Sequence, residues 1–257
     1  MSFDADVTAC AQLVERGDPW RFRAVMAAPA RARPLLFALF AFNVEVSRAP
    51  WVTQEPMIAE MRLQWWRDVC DEIASGGPVR RHEVASPLAR LIRPEDAALL
   101  DELVAARRWD IYKDAFEDEA HFATYLDQTA GHLTWVAART LGEADETTVR
   151  AVAQAAGIAG WLRAIPALEA QGRVPLLDGT PEGVRALARK GLARLQEARS
   201  NRRAVSRPSR AALYHIGGAL PVLQAAANDP RLVAEGGLPD PVAADRNLIW
   251  RVLTGRW

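Results

Sequence analysis

Two cysteines, two lysines and three tyrosines in 257 residues set the first limits on this chain. Cys10 and Cys70 stand far apart with no CxxC or Cys/His spacing around either. That excludes a disulfide framework or a thiolate metal site and fits a reducing compartment. The longest apolar run, Leu35 to Phe42, falls well short of the roughly 20 residues that cross a bilayer, so no spanning segment is expected. The start, MSFDADVTAC, has no basic region ahead of an apolar core, so no secretory signal is read and a cytoplasmic location is expected. A glycine-rich phosphate loop, a GxSxG elbow, an HExxH pair and a basic recognition helix are all missing. Nucleotide hydrolysis, ester hydrolysis and nucleic-acid binding therefore rank low. No Ser/Gly-rich linker divides the sequence, so residues 1–257 read as a single domain.

What is present is ordinary for a globular protein: half the residues are apolar and a quarter charged, enough for a sizeable core. Net charge is zero, but it is unevenly spread. Between Val184 and Arg210 nine basic residues face one acid, Glu197, leaving 23 basic and 31 acidic residues elsewhere. Such a run is either a solvated helix face or a docking surface for an anionic membrane or acidic partner. Arg185, Arg189, Arg194, Arg202 and Arg203 are its candidate docking residues.

The periodicity is helical almost throughout. Arg33-Pro34 opens an apolar helix that Ala49-Pro50 ends near Arg48, because the residue before a proline is pushed out of helical dihedrals. From Pro56 to Ile73, Met57, Met61, Trp65, Val69 and Ile73 recur every four residues and predict the core face of an amphipathic helix. Further helices are expected from Pro94, over Glu119–Leu141 and Asp145–Ile165, from Thr180-Pro181, and over Pro208–Ala227 and Val242–Leu253. Strand alternation is missing, so the fold class is all-α. Ala151, Ala155, Ala156, Ala159 and Gly160, with Ala130-Gly131 before them, mark either close helix packing or an apolar pocket. The nine tryptophans at helical spacing read as core or interface anchors, and the four histidines lie in separate segments.

The order of segments then carries a resemblance. Arg21-Phe22, ALFAFNVEV from Ala38, RLQWWRD from Arg62, ARRWDIYKDAFED from Ala106, YLDQTAGHLTWVA from Tyr125, and GIAGWL followed by GRVPLL resemble the squalene/phytoene synthase family across roughly residues 15 to 220. The resemblance implies a single-domain helical bundle of the isoprenoid-synthase type. In active members two aspartate clusters hold the magnesium ions that neutralise a departing diphosphate, a task for hard oxygen ligands. Here the positions matching the first cluster are Ser47, Arg48 and Trp51, and Glu45 is the one carboxylate on that helix. The second cluster matches the run Trp161 to Leu168, with Glu169 the nearest acid and Pro166 expected to bend or end the helix.

FNVEV with RLQWWRD, and LRAIP with GRVPLL, are similar to the branch of that family that includes a mitochondrial assembly factor for respiratory complex I. That likeness implies an accessory protein, peripheral on an inner membrane, with complex I subunits as partners. The expectation is a catalytically degenerate member with no catalytic residue, no metal and no cofactor. Its candidate pocket residues are Phe42, Glu45, Arg48, Tyr125, His132, Trp161 and Arg163. Arg48 and Arg163 either hold an anionic ligand without metal or pair with neighbouring carboxylates. The alternatives are a magnesium-dependent prenyltransferase with relocated acids, Asp110, Asp114, Asp127 or Glu45, and a carrier of isoprenoid or other lipid-like ligands.

Overall fold

Every element of the computed structural model, which describes residues 5–53, 55–244 and 247–257, is helical apart from an isolated bridge between Ala144 and Val205. In chain order the first helices are α1 (Ala5–Gly17), α2 (Pro19–Ala27), α3 (Arg33–Arg48), α4 (Pro56–Ala74), α5 (Ala85–Leu91), α6 (Ala97–Ala106) and α7 (Glu119–Leu126). A π-turn, Asp127–Gly131, joins α7 to α8 (His132–Leu141). Then come α9 (Glu146–Ala170), α10 (Pro181–Ser200), α11 (Ala219–Asn228), α12 (Arg231–Ala234), α13 (Pro241–Ala244) and α14 (Leu248–Thr254). Tighter 3-10 turns cover Arg107–Asp110 and Ser209–Gly218.

Helix α3 is the axis of the bundle. Every residue from Pro34 to Val44 is buried, so it is apolar all round rather than along a stripe, as befits a helix enclosed by others. Its bounds agree with those read from Arg33-Pro34 and Ala49-Pro50.

Helix α4 forms where expected, and Val69 and Ile73 of the expected face are buried, but its first half turns a different face inward. Ala59, Leu63, Trp66, Cys70 and Ile73 are buried, whereas Met57 and Met61 are 75% and 67% exposed. A strict four-residue repeat advances about 400° per step and drifts round the helix, while alternating steps of four and three stay on one side.

Helix α9 runs through Pro166 to Ala170 rather than ending there. The ring sits on a half-exposed face near Gly236, so the hydrogen bond it removes is the main cost. The stop is Gly172, whose φ of 75° suits a residue without Cβ. Arg173 N donates back to the Leu168 carbonyl at 3.1 Å and Gly172 N to that of Glu169 at 2.8 Å. This reversal turns Arg173 into the interior, where it is 6% exposed.

By length and composition α9 alone among the described helices could cross a membrane, contrary to the expectation that no segment could. Here it is packed along α8, α10, α11 and the π-turn, as a core helix. The helix expected over Pro208–Ala227 is 3-10 in its first half. That over Val242–Leu253 appears as α13 and α14, with residues 245 and 246 outside the described residues.

Candidate functional site

A cavity of about 480 Å³ opens between α3, α9, the Arg107–Asp110 turn and the α7–π–α8 rod. Helix α9 gives it Ala156, Gly157, Gly160, Trp161, Ala164, Ala167 and Leu168, spaced so that all fall on one side. The small residues at this face therefore do both things expected of them. Gly157 lets α9 approach the π-turn, where an added Cβ would come within 3.2 Å of Ala130, while around Gly160 there is open space.

The opposite wall is polar. Asn43, Ser47 and Arg48 come from α3, Trp51 from the turn after it, Arg21 from α2 and His215 from the 3-10 segment. Ser47, Arg48 and Trp51, the positions that the resemblance matches to an aspartate cluster, all line this wall. The Ser47 hydroxyl donates to the Val44 carbonyl of its own helix. Arg48 is exposed and has no side-chain partner among the described residues. Trp51 lies on the Arg173 guanidinium, 5.0 Å from its central carbon, and Trp109 covers the same group at 5.3 Å. Arg173 also donates to the Asp110 backbone carbonyl.

One carboxylate lines the cavity, that of Asp110, and it is 3% exposed. Tyr125 donates to it at 2.8 Å and Arg107 at 3.0 Å, and Arg107 also donates to the Tyr125 oxygen at 2.8 Å. Burial pushes the Tyr125 hydroxyl well above its usual range, so it stays protonated and a donor. Burial works against the Arg107 charge, but Tyr125 and Asp110 outweigh it and hold the guanidinium protonated. Arg21 pairs with Asp18 at 2.8 Å and leaves its Nε buried without a partner. His215 is buried and neutral, because burial and the Arg21 charge both push its pKa well below the ordinary imidazole value.

The donor set does not fit magnesium. Asp110 is committed to a cation and a phenol, and no group of three or more His, Cys, Asp or Glu able to hold a metal occurs among the described residues. The other acids considered for a relocated site lie apart. Asp127 is bound by Arg150 at 2.9 Å on another face, Asp114 is exposed, and Glu45 is half-buried outside the cavity walls.

Of the seven candidate pocket residues, Arg48, Tyr125 and Trp161 line the cavity. Phe42 is behind the wall, edge-on to Trp66 at 5.3 Å, because α3 turns Asn43 rather than Phe42 inward. His132 sits on the far side of α8. Arg150 donates to its Nδ1 at 3.1 Å, so its Nε2 proton goes to Glu102 at 2.8 Å. Arg163 lines a neighbouring cleft and lies 4.0 Å from Asp240. Arg21, Arg107, Asn43 and His215 are among the cavity residues that were not candidates from the sequence.

Of the docking candidates, Arg185 donates to the Ala227 carbonyl and Arg194 pairs with Glu197. Arg189, Arg202 and Arg203 are exposed.

Comparison with known proteins agrees with this fold. The family described as squalene/phytoene synthase matches residues 14–178. A Drosophila melanogaster protein named NADH dehydrogenase (ubiquinone) complex I, assembly factor 6 homolog is 34% identical over 167 residues, 61% of this chain and 50% of that protein. The Bos taurus protein named as assembly factor 6 is 27% identical over 162 residues, 61% of this chain and 48% of its own length. The chain thus matches about half the length of these curated relatives. Among solved structures, a dehydrosqualene synthase in complex with ligand has a TM-score of 0.74 at 12% identity, covering 97% of this chain and 96% of that one. A squalene synthase from Alicyclobacillus acidocaldarius has a TM-score of 0.70 at 17% identity, covering 91% and 95%. These likenesses establish the fold, and with the family match over residues 14–178 the chain belongs to the squalene/phytoene synthase family.

Proposed function

We propose that this protein is a member of the squalene/phytoene synthase family that does not ionise prenyl diphosphates and instead serves as an assembly factor, with respiratory complex I as its client. The observation that carries the first half is the cavity wall. Of the three guanidiniums that face it, Arg21 is paired with Asp18 and Arg107 with Asp110, the one lining carboxylate, which Tyr125 also binds, and Arg48 is left without a carboxylate among the described residues. A wall with a spare cation and no spare carboxylate suits an anion but gathers no divalent ions to stabilise a departing diphosphate. The second half rests on relatives named for complex I assembly, matched over about half their length.

The cavity has not closed up with the loss of acids. A ligand with an anionic head toward the arginines and an apolar body along Ala164, Ala167 and Leu168 suits its two walls. It would be held, not converted.

Two measurements test this. Purified protein given magnesium with farnesyl or geranylgeranyl diphosphate should release no diphosphate, and release at a rate above buffer would refute the non-catalytic half. A strain lacking the gene should contain less assembled, active complex I, and unchanged levels would refute the assembly half.

A further inference from the structure

Between α9 and α10 the chain runs without helical structure, and Pro175 keeps Val174 extended, since the residue before a proline is held out of helical dihedrals. Arg173 and Pro175 are buried, while Val174 between them is 59% exposed. The backbone alternates in the same way. The Pro175 carbonyl accepts from the Trp161 indole at 2.9 Å, so the N–H and C=O groups of Val174 and Leu176 lie on the opposite edge. Among the described residues none of those groups has a hydrogen-bond partner. The N–H that proline lacks falls on the Trp161 edge and leaves the open one unbroken.

This open edge borders an apolar groove. Leu176 and Leu177 line the groove together with Phe116, with Phe122 of α7 and with Leu187 of α10. Its volume, about 210 Å³, is below the roughly 300–1,000 Å³ of small-molecule sites and suits one large side chain. Acids rim it. Glu119 and Asp178 line the groove, and Glu117 and Asp118, both exposed, stand in the chain between Phe116 and Glu119. Lys190 is the basic residue in the lining, and it is taken by Glu119 at 3.2 Å. Glu117, Asp118 and Asp178 have no lysine or arginine partner among the described residues, so the rim carries spare negative charge.

We infer that an extended segment of a partner polypeptide, apolar and basic in alternation, docks along residues 174–177 and into the groove beside them. Its backbone pairs with Val174 and Leu176, one large apolar side chain enters between Phe122 and Leu187, and a lysine or arginine meets the acidic rim. Open N–H and C=O groups call for another backbone, which a polypeptide supplies and a lipid does not. The charge of the rim selects a basic partner and repels an anionic bilayer. A second copy of this chain is a poorer occupant, since pairing edge to edge would set two acidic rims against each other. The inference is separate from the reading of the cavity, because a catalytically active member could hold a partner at this groove as well.

The test is selection of random dodecapeptides displayed on phage against the immobilised full chain, with A186W as the counter-bait. Ala186 is exposed and lines the groove, so the indole fills it without disturbing the core. Wild type should enrich peptides in which apolar residues alternate with lysine or arginine. The most enriched peptide, synthesised and followed by fluorescence anisotropy, should bind less tightly as salt is raised, and E117Q/E119Q should flatten that dependence. V174P removes an N–H that nothing in the fold uses and should weaken binding by roughly 2- to 10-fold, the worth of one hydrogen bond. N-methylation of the peptide at alternate residues should abolish binding and at the intervening ones should not, a result that needs no protein variant and so stands even if V174P alters the turn. Each variant is first shown to keep its helical circular dichroism and melting temperature. No enrichment, equal enrichment on A186W, an acidic consensus, equal effects of both N-methyl sets, or a wild-type dimer that A186W breaks without peptide would each overturn the inference.

Discussion

Trp51 lies over the guanidinium of Arg173 at 5.0 Å, at a position where the family resemblance leads one to expect an aspartate. A buried cation that lacks a carboxylate needs another partner, and the electron-rich faces of Trp51 and Trp109 provide it. The indole at this position thus gives the buried Arg173 guanidinium a partner that needs neither a carboxylate nor a metal-bound anion.

Trp51→Ala should therefore destabilise the fold by about 1–3 kcal/mol, a cost made of lost cation–π contact and lost burial. Arg173→Ala should cost at least as much, and the double variant less than the sum of the two. Urea unfolding of the three variants measures this, and full additivity would mean that the contact carries no energy.

Asp110, Arg107 and Tyr125 make a closed triangle of hydrogen bonds. Removing Asp110 leaves the buried Arg107 charge without its counter-ion, so Asp110→Ala should cost about 3–5 kcal/mol. Tyr125→Phe, which removes one donor and leaves the ion pair, should cost only about 1–2 kcal/mol. If Asp110 were instead a metal-binding acid, Asp110→Ala would cost little without magnesium and abolish stabilisation by magnesium. Thermal unfolding with and without the ion separates the two outcomes.

Much of the fold was legible in the sequence because prolines and caps act locally. Arg33-Pro34 and Ala49-Pro50 gave the bounds of α3, and Thr180 caps Gly183 as its hydroxyl suggested. Val69 and Ile73 of the expected α4 face are buried, but its first half is misphased because Met57 and Met61 are apolar yet exposed, and no local signal separates them from Leu63 or Trp66. Pro166 looked like a stop, but the energetic end of α9 is the left-handed Gly172. The cavity was half legible. Tyr125 and Trp161 stood in recognisable segments, whereas Arg21 and His215 meet across the bundle and only packing brings them together.

His215 makes a pH prediction. Its folded-state pKa is well below the ordinary value near 6.5, so in acid the unfolded chain takes up a proton that the folded one resists. Its stabilising contribution is complete above about pH 6.5 and is lost as pH falls below that. Between pH 6.5 and 5, where carboxylates are still ionised, unfolding free energy should fall by up to about 1.4 kcal/mol per pH unit. His215→Asn should flatten that slope while lowering stability at pH 7.5. An unchanged slope in the variant would mean that another group carries it.

Gly157 and Gly160 lie one turn apart on the same helix face and should respond oppositely to the same substitution. At Gly160 a Cβ meets nothing within 4 Å, because the cavity lies beyond it, so Gly160→Ala should gain about 0.5–1 kcal/mol from lower unfolded-chain entropy. At Gly157 the added carbon comes within 3.2 Å of the Ala130 Cβ and 3.3 Å of a Leu126 methyl, so α9 and the π-turn must separate. Gly157→Ala should then lose the propensity gain and cost about 1 kcal/mol or more through overpacking. Melting temperatures of the two variants decide the matter. A gain at both positions would mean that the α9–π-turn contact yields without cost, and a loss at both that the cavity beside Gly160 is filled in solution.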